Sequence, residues 1–324
     1  MLASFAFLWG VAVSFVWYFF AVVLWLIVMA LFIVWWNQDF LLYQPTYASS
    51  HEEGRQTPFN IKGFRTPTEM HLPFEDVYLE TEDGHTINGW LITQRNSTQC
   101  PCILYLHGNA GNIGHRLHGL RELYFAVKCN IFILDYRGYG NSSGSPSETG
   151  LILDAKAALK YVTERAPVDS ENILVFGRSL GGAVAIALAE KHQEKIRGLI
   201  VENTFTCIDE MATVIFSRIV KMSVEQANKY IKPLLYCYLT SPWRSYKRIG
   251  SIQIPILFYS GLKDQLIPPA QMQELYSAAN KAVIKWMHTV EDGDHNNTVE
   301  KGGEGYFTKF CEFRTKVVGP FEHK

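Results

Sequence analysis

The chain has 324 residues, of which 48% are hydrophobic and 19% are charged, and its formal net charge is −1 at pH 7. This length and apolar fraction are enough for one large domain with a deep core, and they exclude a disordered chain. A nearly neutral chain without a run of Lys or Arg lacks the electrostatic attraction that nucleic acids require. No nucleic-acid partner is therefore expected.

The N-terminal segment is the part least typical of a soluble protein. No charged side chain precedes Asp39, and nearly every residue from 5 to 36 is apolar. A hydrocarbon core of about 30 Å needs roughly 20 helical residues, so residues 1–36 are predicted to form one transmembrane helix. The lipid bilayer is the expected partner of residues 5–36. A cleavable signal peptide is the alternative, but a basic flank, a short apolar core and a small-residue cleavage site are all missing.

The orientation of this helix has two opposing signals. Arg55, Lys62 and Arg65 follow it, and such positive charges favour a cytosolic catalytic domain. Glycosylation sequons at Asn96, Asn141 and Asn296 favour a lumenal one. A glycan on Asn296 would cover the neighbouring His295, so Asn96 is the better acceptor.

Residues 37–73 are polar and contain scattered prolines, which indicates a linker or collar with little regular structure. Residues 74–324 are predicted to form the folded domain. It opens with a β-hairpin, because the strand-like segments 76–80 and 86–92 flank a turn at Asp83-Gly84.

After the hairpin, short apolar segments alternate with helical ones. The predicted strands are 102–107, 130–135, 173–177, 198–202, 256–260 and 282–287, and the clearest predicted helices are 150–162 and 180–191. This alternation predicts an α/β fold with a mainly parallel, eight-stranded sheet and helices on both faces. Residues from about 204 to 250 are predicted to form a small cap. Sites in such folds lie beyond the carboxyl ends of the strands.

The most informative motif is Gly-Arg-Ser-Leu-Gly at 177–181. It follows the apolar strand at 173–176 and opens a helical segment, which is the context expected of a nucleophile elbow. The sharp turn would expose the Ser179 hydroxyl, and the flanking glycines would let strand and helix pack closely. The alternative is a glycine-rich turn in which Ser179 only caps the helix.

A serine nucleophile needs a base and an orienting acid, which follow it along the chain in the order acid, then histidine. Asp264 follows the strand at 256–260, and His295 follows the last predicted strand. Asp264 and His295 are therefore the predicted acid and general base. Glu202 is the reserve acid, and Asp292 and Asp294 are weaker candidates. The structural alternatives are a surface turn for Asp264 and a solvated loop for His295.

An oxyanion hole requires two backbone N–H groups. Leu180, directly after the nucleophile, is predicted to supply one, and Asn109, in the small-residue loop after the strand at 102–107, is predicted to supply the other. His107 at the start of that loop is interpreted as a loop-shaping residue rather than the base.

The remaining polar motifs do not predict a cofactor or a metal. His115 and His118 share a helix face, but no third ligand is evident near them. The six cysteines are scattered and are interpreted as mostly buried free thiols. The segment 135–140 is expected at the pocket rim, where Arg137 or Arg178 would pair with a carboxylate.

Six segments together resemble the Bem-like branch of the α/β-hydrolases. They are HGNAGNIGHR from His107, DYRGYG from Asp135, FGRSLGGAVAI from Phe176, VENTF from Val201, SGLKDQLIPP from Ser260 and DGDHN from Asp292. The similarity runs from about residue 74 to 313 and includes a single N-terminal membrane helix. The resemblance implies the α/β-hydrolase fold and puts the family's serine, aspartate and histidine on Ser179, Asp264 and His295.

The same resemblance implies a type II membrane protein with a non-cytosolic catalytic domain, whereas related branches are protein depalmitoylases at cytosolic membrane faces. The chain departs from the type II pattern because no basic residue precedes its apolar segment.

The expected function is hydrolysis of an acyl ester or thioester, of the lipid or palmitoyl-protein type, through an acyl-enzyme on Ser179. A site tethered beside a bilayer favours a substrate with a fatty chain. The alternatives are a membrane-bound binding or adaptor protein that keeps the fold without turnover, and a serine peptidase. The peptidase is disfavoured because no separate substrate-gating domain fits within this length.

Overall fold

The computed structural model describes residues 2–45 and 60–320. An eight-stranded sheet has the spatial order β1-β2-β4-β3-β5-β6-β7-β8. The strands are β1 (Phe74–Glu80), β2 (Thr86–Ile92), β3 (Pro101–Leu106), β4 (Asn130–Leu134), β5 (Asp169–Arg178), β6 (Gly198–Glu202), β7 (Ile256–Gly261) and β8 (Lys285–Val290). The first two pairings, β1 with β2 and β2 with β4, are antiparallel, and the others are parallel. The predicted mainly parallel sheet with an opening hairpin is confirmed.

The burial of each strand explains whether its sequence is continuously apolar or alternates between apolar and polar residues. Every residue of β4, β6 and β7 is buried, because helices cover both faces of the central sheet. The edge strand β1 instead alternates between buried and exposed residues from Val77 to Glu80. The boundaries of β2 and β6 match the sequence prediction, whereas the last strand was predicted three residues too early. Ala282 and Val283 are apolar but belong to the turn before β8, so hydrophobicity alone misplaced that strand.

Helices cover the sheet on both sides. They are α3 (Leu117–Val127), α4 (Glu148–Glu164), α5 (Leu180–His192), α9 (Ser245–Ile249), α10 (Pro269–Ala278) and α11 (Thr298–Val318). One core cluster contains buried residues of α4, α5, α9 and α10, and the other contains those of α3 and α11. The helix α11 is interrupted at Gly303, where φ is 51°. The two clusters make the fold three-layered, as the alternating sequence pattern predicts.

The N-terminal apolar segment forms one helix, α1 (Leu2–Trp36). Its part Ser14–Trp36 has a mean hydropathy of 2.7 and is 0% buried, so by length and composition it can cross a membrane. The short helix α2 (Gln38–Leu42) follows it.

The predicted collar packs on the domain at both of its described ends. Tyr43 is 2% exposed and Leu72 is 1% exposed, and each belongs to one of the two cores. A short 3-10 helix also forms at Pro67–Met70. The central collar residues 46–59, including Arg55, lie outside the described residues.

The segment between β6 and β7 contains four helices. They are α6 (Ile208–Ile219), α7 (Val224–Tyr230), α8 (Lys232–Tyr238) and α9. α9 packs on α5 and contributes Ile249 to the core, so we use the name cap for α6, α7 and α8 alone, a shorter segment than the predicted one.

Four of the six cysteines are free and buried, namely Cys100, Cys102, Cys129 and Cys207, and Cys311 is free and partly buried. The side chain of Cys237 lies outside the described part of the chain.

Arg137 is buried rather than exposed at a pocket rim, and so are all residues from 135 to 140. Its guanidinium donates to Asp154 at 2.9 Å and to Asp83 at 2.7 Å, and its backbone N–H donates to Asp154 at 2.8 Å. This network joins the loop after β4 to α4 and to the β1–β2 turn. The expectation that an arginine of this motif pairs with a carboxylate holds, but the pair is internal.

Replacing Asp154 with alanine should destabilise the fold, because the buried Arg137 would lose its most buried partner. We expect the free energy of unfolding to fall by about 3 kcal/mol, measured as the denaturant midpoint of the full chain in detergent. Glu82→Ala is the control, since its pair with Lys156 is on the surface and should leave the midpoint nearly unchanged. Equal midpoints for the two variants would contradict a stabilising role for the buried pair.

Candidate active site

Ser179 lies in a strained turn between β5 and α5. Its φ is 54° and its ψ is −121°, a region that residues other than glycine seldom adopt. Two hydrogen bonds hold this conformation: Ser179 N–H donates to the carbonyl of Glu202 at 2.9 Å, and the Thr204 hydroxyl donates to the carbonyl of Ser179 at 2.7 Å. The serine therefore projects from a turn that β6 and the chain following it fix in place.

The glycines on either side of Ser179 permit this turn by allowing close backbone contacts. A Cβ at Gly177 would lie 2.2 Å from the carbonyl oxygen of Gly181, and one at Gly181 would lie 2.0 Å from that of Leu106. Both distances are far shorter than any contact a real Cβ makes. The Gly-x-Ser-x-Gly spacing thus follows from the packing of α5 onto β3 and β5.

The structure brings Ser179, His295 and Asp264 together although they are far apart in the chain. His295 Nε2 lies 3.0 Å from Ser179 Oγ, and His295 Nδ1 lies 2.7 Å from Asp264 Oδ2. Asp264 is only 5% exposed, and its other oxygen accepts the N–H groups of Leu266 and Ile267, each at 2.8 Å. With Nδ1–H donating to the carboxylate, Nε2 is the acceptor for the serine hydroxyl.

The loop that carries His295 is held from two sides. Arg178 donates to the carbonyl of His295 at 2.5 Å and to the side chain of Asn296 at 3.1 Å. Asn203 donates to the carbonyl of Asp294 at 3.2 Å and accepts from the N–H of Gly261 at 2.8 Å. These bonds tie the histidine loop to the strand ends of β5, β6 and β7.

The other carboxylates considered from the sequence have different partners. Glu202 is buried, lies 3.2 Å from Arg178 Nε, and accepts a 2.5 Å hydrogen bond from Tyr306. Asp292 pairs with Lys263 at the surface, and Asp294 accepts the N–H groups of its own loop. The carboxylate hydrogen-bonded to His295 is that of Asp264.

The loop after β3 passes directly beside the serine, because a Cβ at Gly108 would lie 3.5 Å from that of Ser179. Asn109 follows this glycine, and Leu180 is the first residue of α5. N–H groups in the first turn of a helix have no acceptor within the helix and are free to bind an anion. Both predicted donors thus lie on segments next to Ser179, and their catalytic role stays a prediction.

The side chain of Asn109 connects this loop to the chain that follows α1. It donates to the carbonyl of Leu42 at 2.7 Å, and its oxygen accepts from Gln44 N–H at 3.1 Å and from the Tyr139 hydroxyl at 2.7 Å. Gly111 N–H also donates to the carbonyl of Gln44 at 3.1 Å. The segment beside the apolar helix therefore fixes the loop that flanks the serine.

His107 is fully buried, and burial lowers its pKa to about 3, so it is neutral. Its Nδ1 lies 2.7 Å from the carbonyl of Gly108, and its ring packs against Tyr136 with centroids 4.5 Å apart. These contacts agree with a loop-shaping role.

His115 Nδ1 accepts the N–H of Asn112 at 3.0 Å, which closes the turn before α3.

Sequence reasoning missed several supporting residues. Asn203, Thr204 and Arg218 were not singled out, although Arg218 donates to the carbonyl of Gln265 at 2.7 Å beside Asp264. Their partners are between 25 and 95 residues away in the chain, so no local pattern reveals them. Asn203 has a φ of 44°. Asparagine tolerates left-handed backbone better than most residues, so an asparagine directly after a predicted strand was a sequence signal of a sharp turn at this position.

Comparisons with known proteins agree with this architecture. The sequence profile of the family described as "alpha/beta hydrolase fold" matches residues 101–216. Alpha/beta hydrolase domain-containing protein WAV2 of Arabidopsis thaliana is 40% identical over 78% of this chain and 82% of that protein. Protein bem46 of Schizosaccharomyces pombe is 39% identical over 84% of this chain and 85% of that protein. An uncharacterized membrane protein of Saccharomyces cerevisiae is 35% identical over 74% of this chain and 79% of that protein.

Among solved structures, the Pyrococcus furiosus esterase Pf2001 superposes with a TM-score of 0.64, at 23% identity, over 78% of this chain and 94% of the esterase. Identity this low supports the fold alone. The serine turn and the eight-stranded sheet are the features of the α/β-hydrolase class of proteins. The similarity to bem46 and WAV2 shows to which branch of that class the chain belongs. The chain belongs to the α/β-hydrolase family, in the Bem-like branch that includes bem46 and WAV2.

The serine turn predicts a sharp difference between two glycine substitutions. Gly181→Ala forces a Cβ against the Leu106 backbone, so we expect a loss of about 1 to 3 kcal/mol in the free energy of unfolding. Gly305→Ala is the control, since a Cβ there meets nothing within 4 Å and alanine favours helix by up to about 1 kcal/mol. Thermal unfolding followed by circular dichroism measures both, and equal melting temperatures would contradict the close approach.

Proposed function

We propose that the protein is a membrane-anchored serine hydrolase that cleaves acyl esters or thioesters. The observation that carries the proposal is the continuous chain of contacts from Ser179 through His295 to Asp264, at 3.0 Å and 2.7 Å. Membership of the α/β-hydrolase family supports hydrolysis as the reaction class.

In the acylation step, Ser179 Oγ attacks the carbonyl carbon of the substrate while His295 Nε2 accepts the hydroxyl proton. The carbonyl π electrons move onto oxygen, and the N–H groups of Leu180 and Asn109 stabilise the resulting oxyanion. Collapse of this tetrahedral species breaks the bond to the alcohol or thiol. The leaving group takes the proton from His295, and the acyl group stays on Ser179.

Deacylation repeats these steps with water as the nucleophile. His295 accepts a proton from water, the hydroxide adds to the acyl carbon, and the proton returns to Ser179 Oγ as the carboxylic acid leaves. The carboxylate of Asp264 stabilises the imidazolium that forms twice in each cycle. Its buried carboxylate is positioned for this task by the backbone N–H groups of Leu266 and Ile267.

The proposed substrate is one with a fatty acyl chain. The apolar helix α1 would tether the site beside a bilayer, and the name of the yeast relative as a membrane protein supports this attachment. Two exposed leucines, Leu262 and Leu266, flank Asp264 and offer apolar surface beside the site. A panel of acyl esters, acyl thioesters and lysophospholipids would rank these substrate types.

The first test of this function uses a fluorophosphonate probe and a soluble acyl ester with the full chain in detergent. Ser179→Ala should abolish both labelling and turnover while the melting temperature is retained. Asp264→Asn should lower kcat by roughly 10⁴-fold, because the histidine would be held in the wrong tautomer.

Glu202→Gln is the matched carboxylate control. Since Glu202 contacts Arg178 and Tyr306, this variant should keep labelling and lose far less activity than Asp264→Asn. A reversed ranking of the two variants would move the orienting acid to Glu202. A wild-type protein that is folded but does not label would favour a binding or adaptor protein instead.

We further propose a type II orientation with the catalytic domain on the non-cytosolic side. Asn96 is exposed between β2 and β3, so it should receive a glycan in the secretory lumen. Endoglycosidase treatment should reduce the apparent size of the wild type, and Asn96→Gln should abolish that shift. Asn296→Gln is the control and should keep the shift, because a glycan on Asn296 would cover the neighbouring His295, and the side-chain oxygen of Asn296 already accepts a hydrogen bond from Arg178.

A cytosolic orientation of the catalytic domain would give a different experimental result. If no glycan is present and protease added to sealed microsomes digests the hydrolase domain, the domain is cytosolic. Protein depalmitoylation would then become the leading substrate hypothesis.

A further inference from the structure

The cap helix α6 has its polar face inward and its apolar face outward. Asp209, Thr213 and Ser217 are each at most 2% exposed, whereas Ile219 is 73% exposed. In a soluble protein the apolar face of a surface helix packs on the core. An outward apolar face therefore indicates a partner that the isolated chain lacks.

The exposed apolar side chains continue across all three cap helices. We call them the cap face: Ile215, Phe216, Ile219, Val220, Val224 and Leu234. Within α6, Ile215 and Ile219 are four residues apart, so they lie on one side of the helix. Phe216 and Val220 are exposed at the C-terminal end of α6 and in the residue that follows it.

The cap contacts the apolar N-terminal helix directly. The Tyr238 hydroxyl, at the end of α8, donates to the carbonyl of Leu31. Leu31 is five residues before Trp36, the end of the possible span, which corresponds to about 7.5 Å along the helix axis. If α1 crosses a bilayer, the end of α8 lies at the level of the membrane interface.

Two further hydrogen bonds hold the chain directly after α8 beside the end of α1. Thr240 N–H donates to the Gln38 side chain at 2.8 Å, and the Ser241 hydroxyl donates to Asp39 at 2.8 Å. The end of the cap is therefore held next to α2 as well as α1.

Basic side chains lie beside the apolar ones on the cap. Residues 208–238, which form the cap helices and their connections, contain four Lys and Arg against three Asp and Glu. Lys221 and Lys229 are exposed near the cap face. Basic side chains beside apolar ones are the pattern that binds anionic lipid headgroups while the apolar groups enter the acyl region.

We propose that the cap face docks on the bilayer around α1, so that the protein has a second membrane contact besides its anchor. This inference rests on the proposed membrane-spanning role of α1. The direct contact between α8 and α1 favours the bilayer over a second protein molecule as the partner of this face. Because Arg218 of α6 holds the carbonyl of Gln265 beside Asp264, the docked cap adjoins the acid loop of the candidate site.

The test uses the full chain in vesicles that contain phosphatidylserine. Single cysteines are placed at Ile219, at Leu234 and, as the control, at Val283, in a background with Cys237 and Cys311 changed to serine. Val283 is 72% exposed in the turn before β8, so it matches Ile219 in exposure and apolar character. Each cysteine carries an environment-sensitive fluorophore, and thermal unfolding followed by circular dichroism checks that each variant is folded.

We expect blue-shifted emission at Ile219 and Leu234. At these two positions, doxyl-labelled lipids should quench the fluorescence at least about twofold more strongly than at Val283. The reason is that only the cap positions reach the acyl region. The protein could float with the vesicles and resist carbonate extraction but show equal quenching at all three positions. That result would overturn the docking of the cap face and would leave the proposed membrane-spanning role of α1 standing. Protein that does not float would overturn both.

A second protein molecule on the cap face has a different signature. Cap positions shielded from aqueous iodide but not quenched by doxyl lipids would show a protein contact and would also overturn the proposal. Fluorophosphonate labelling is independent of these readouts, so failure of the docking is distinguishable from failure of the proposed catalysis.

Discussion

The close approach of three backbone segments around Ser179 is the constraint on which the site depends. Gly181 packs against the end of β3, and Gly177 packs against α5, so the chain can turn sharply between them. This turn requires a positive φ at a serine, which costs free energy unless the surroundings fix it. The hydrogen bonds from Ser179 to β6 and from Thr204 provide that support. Strain at the serine is thus maintained by the packing of the central sheet.

Once the serine is fixed, the histidine must be held at hydrogen-bond distance on a separate loop. Arg178 and Asn203 achieve this from the ends of β5 and β6 by binding the backbone of residues 294 and 295. Arg178 also contacts the buried Glu202, so one guanidinium links the strand before the serine to the histidine loop. Arg178, which directly precedes Ser179 in the chain, therefore positions the predicted base.

The segment after α1 is integrated into the hydrolase domain. Tyr43 is buried and accepts the indole N–H of Trp243 at 3.0 Å, while Leu42 and Gln44 bind Asn109. The same stretch of chain therefore contacts both the segment between α8 and α9 and the loop beside Ser179. This connection gives a physical route by which the segment that follows α1 bears on the candidate site.

The sequence by itself determined the eight-stranded α/β architecture, the apolar helix and the position of the serine turn, because these depend on local periodicity and on glycine spacing. It also predicted Asp264 and His295, since the chain order of the family restricts them to the ends of late strands. Only the tertiary structure decided that Asp264 rather than Glu202 contacts His295, because both lie at or just beyond the end of a strand and only their spatial placement separates them. The roles of Asn203 and Arg218 and the inverted polarity of α6 likewise required the fold. Each depends on partners distant in the chain, which local sequence patterns do not encode.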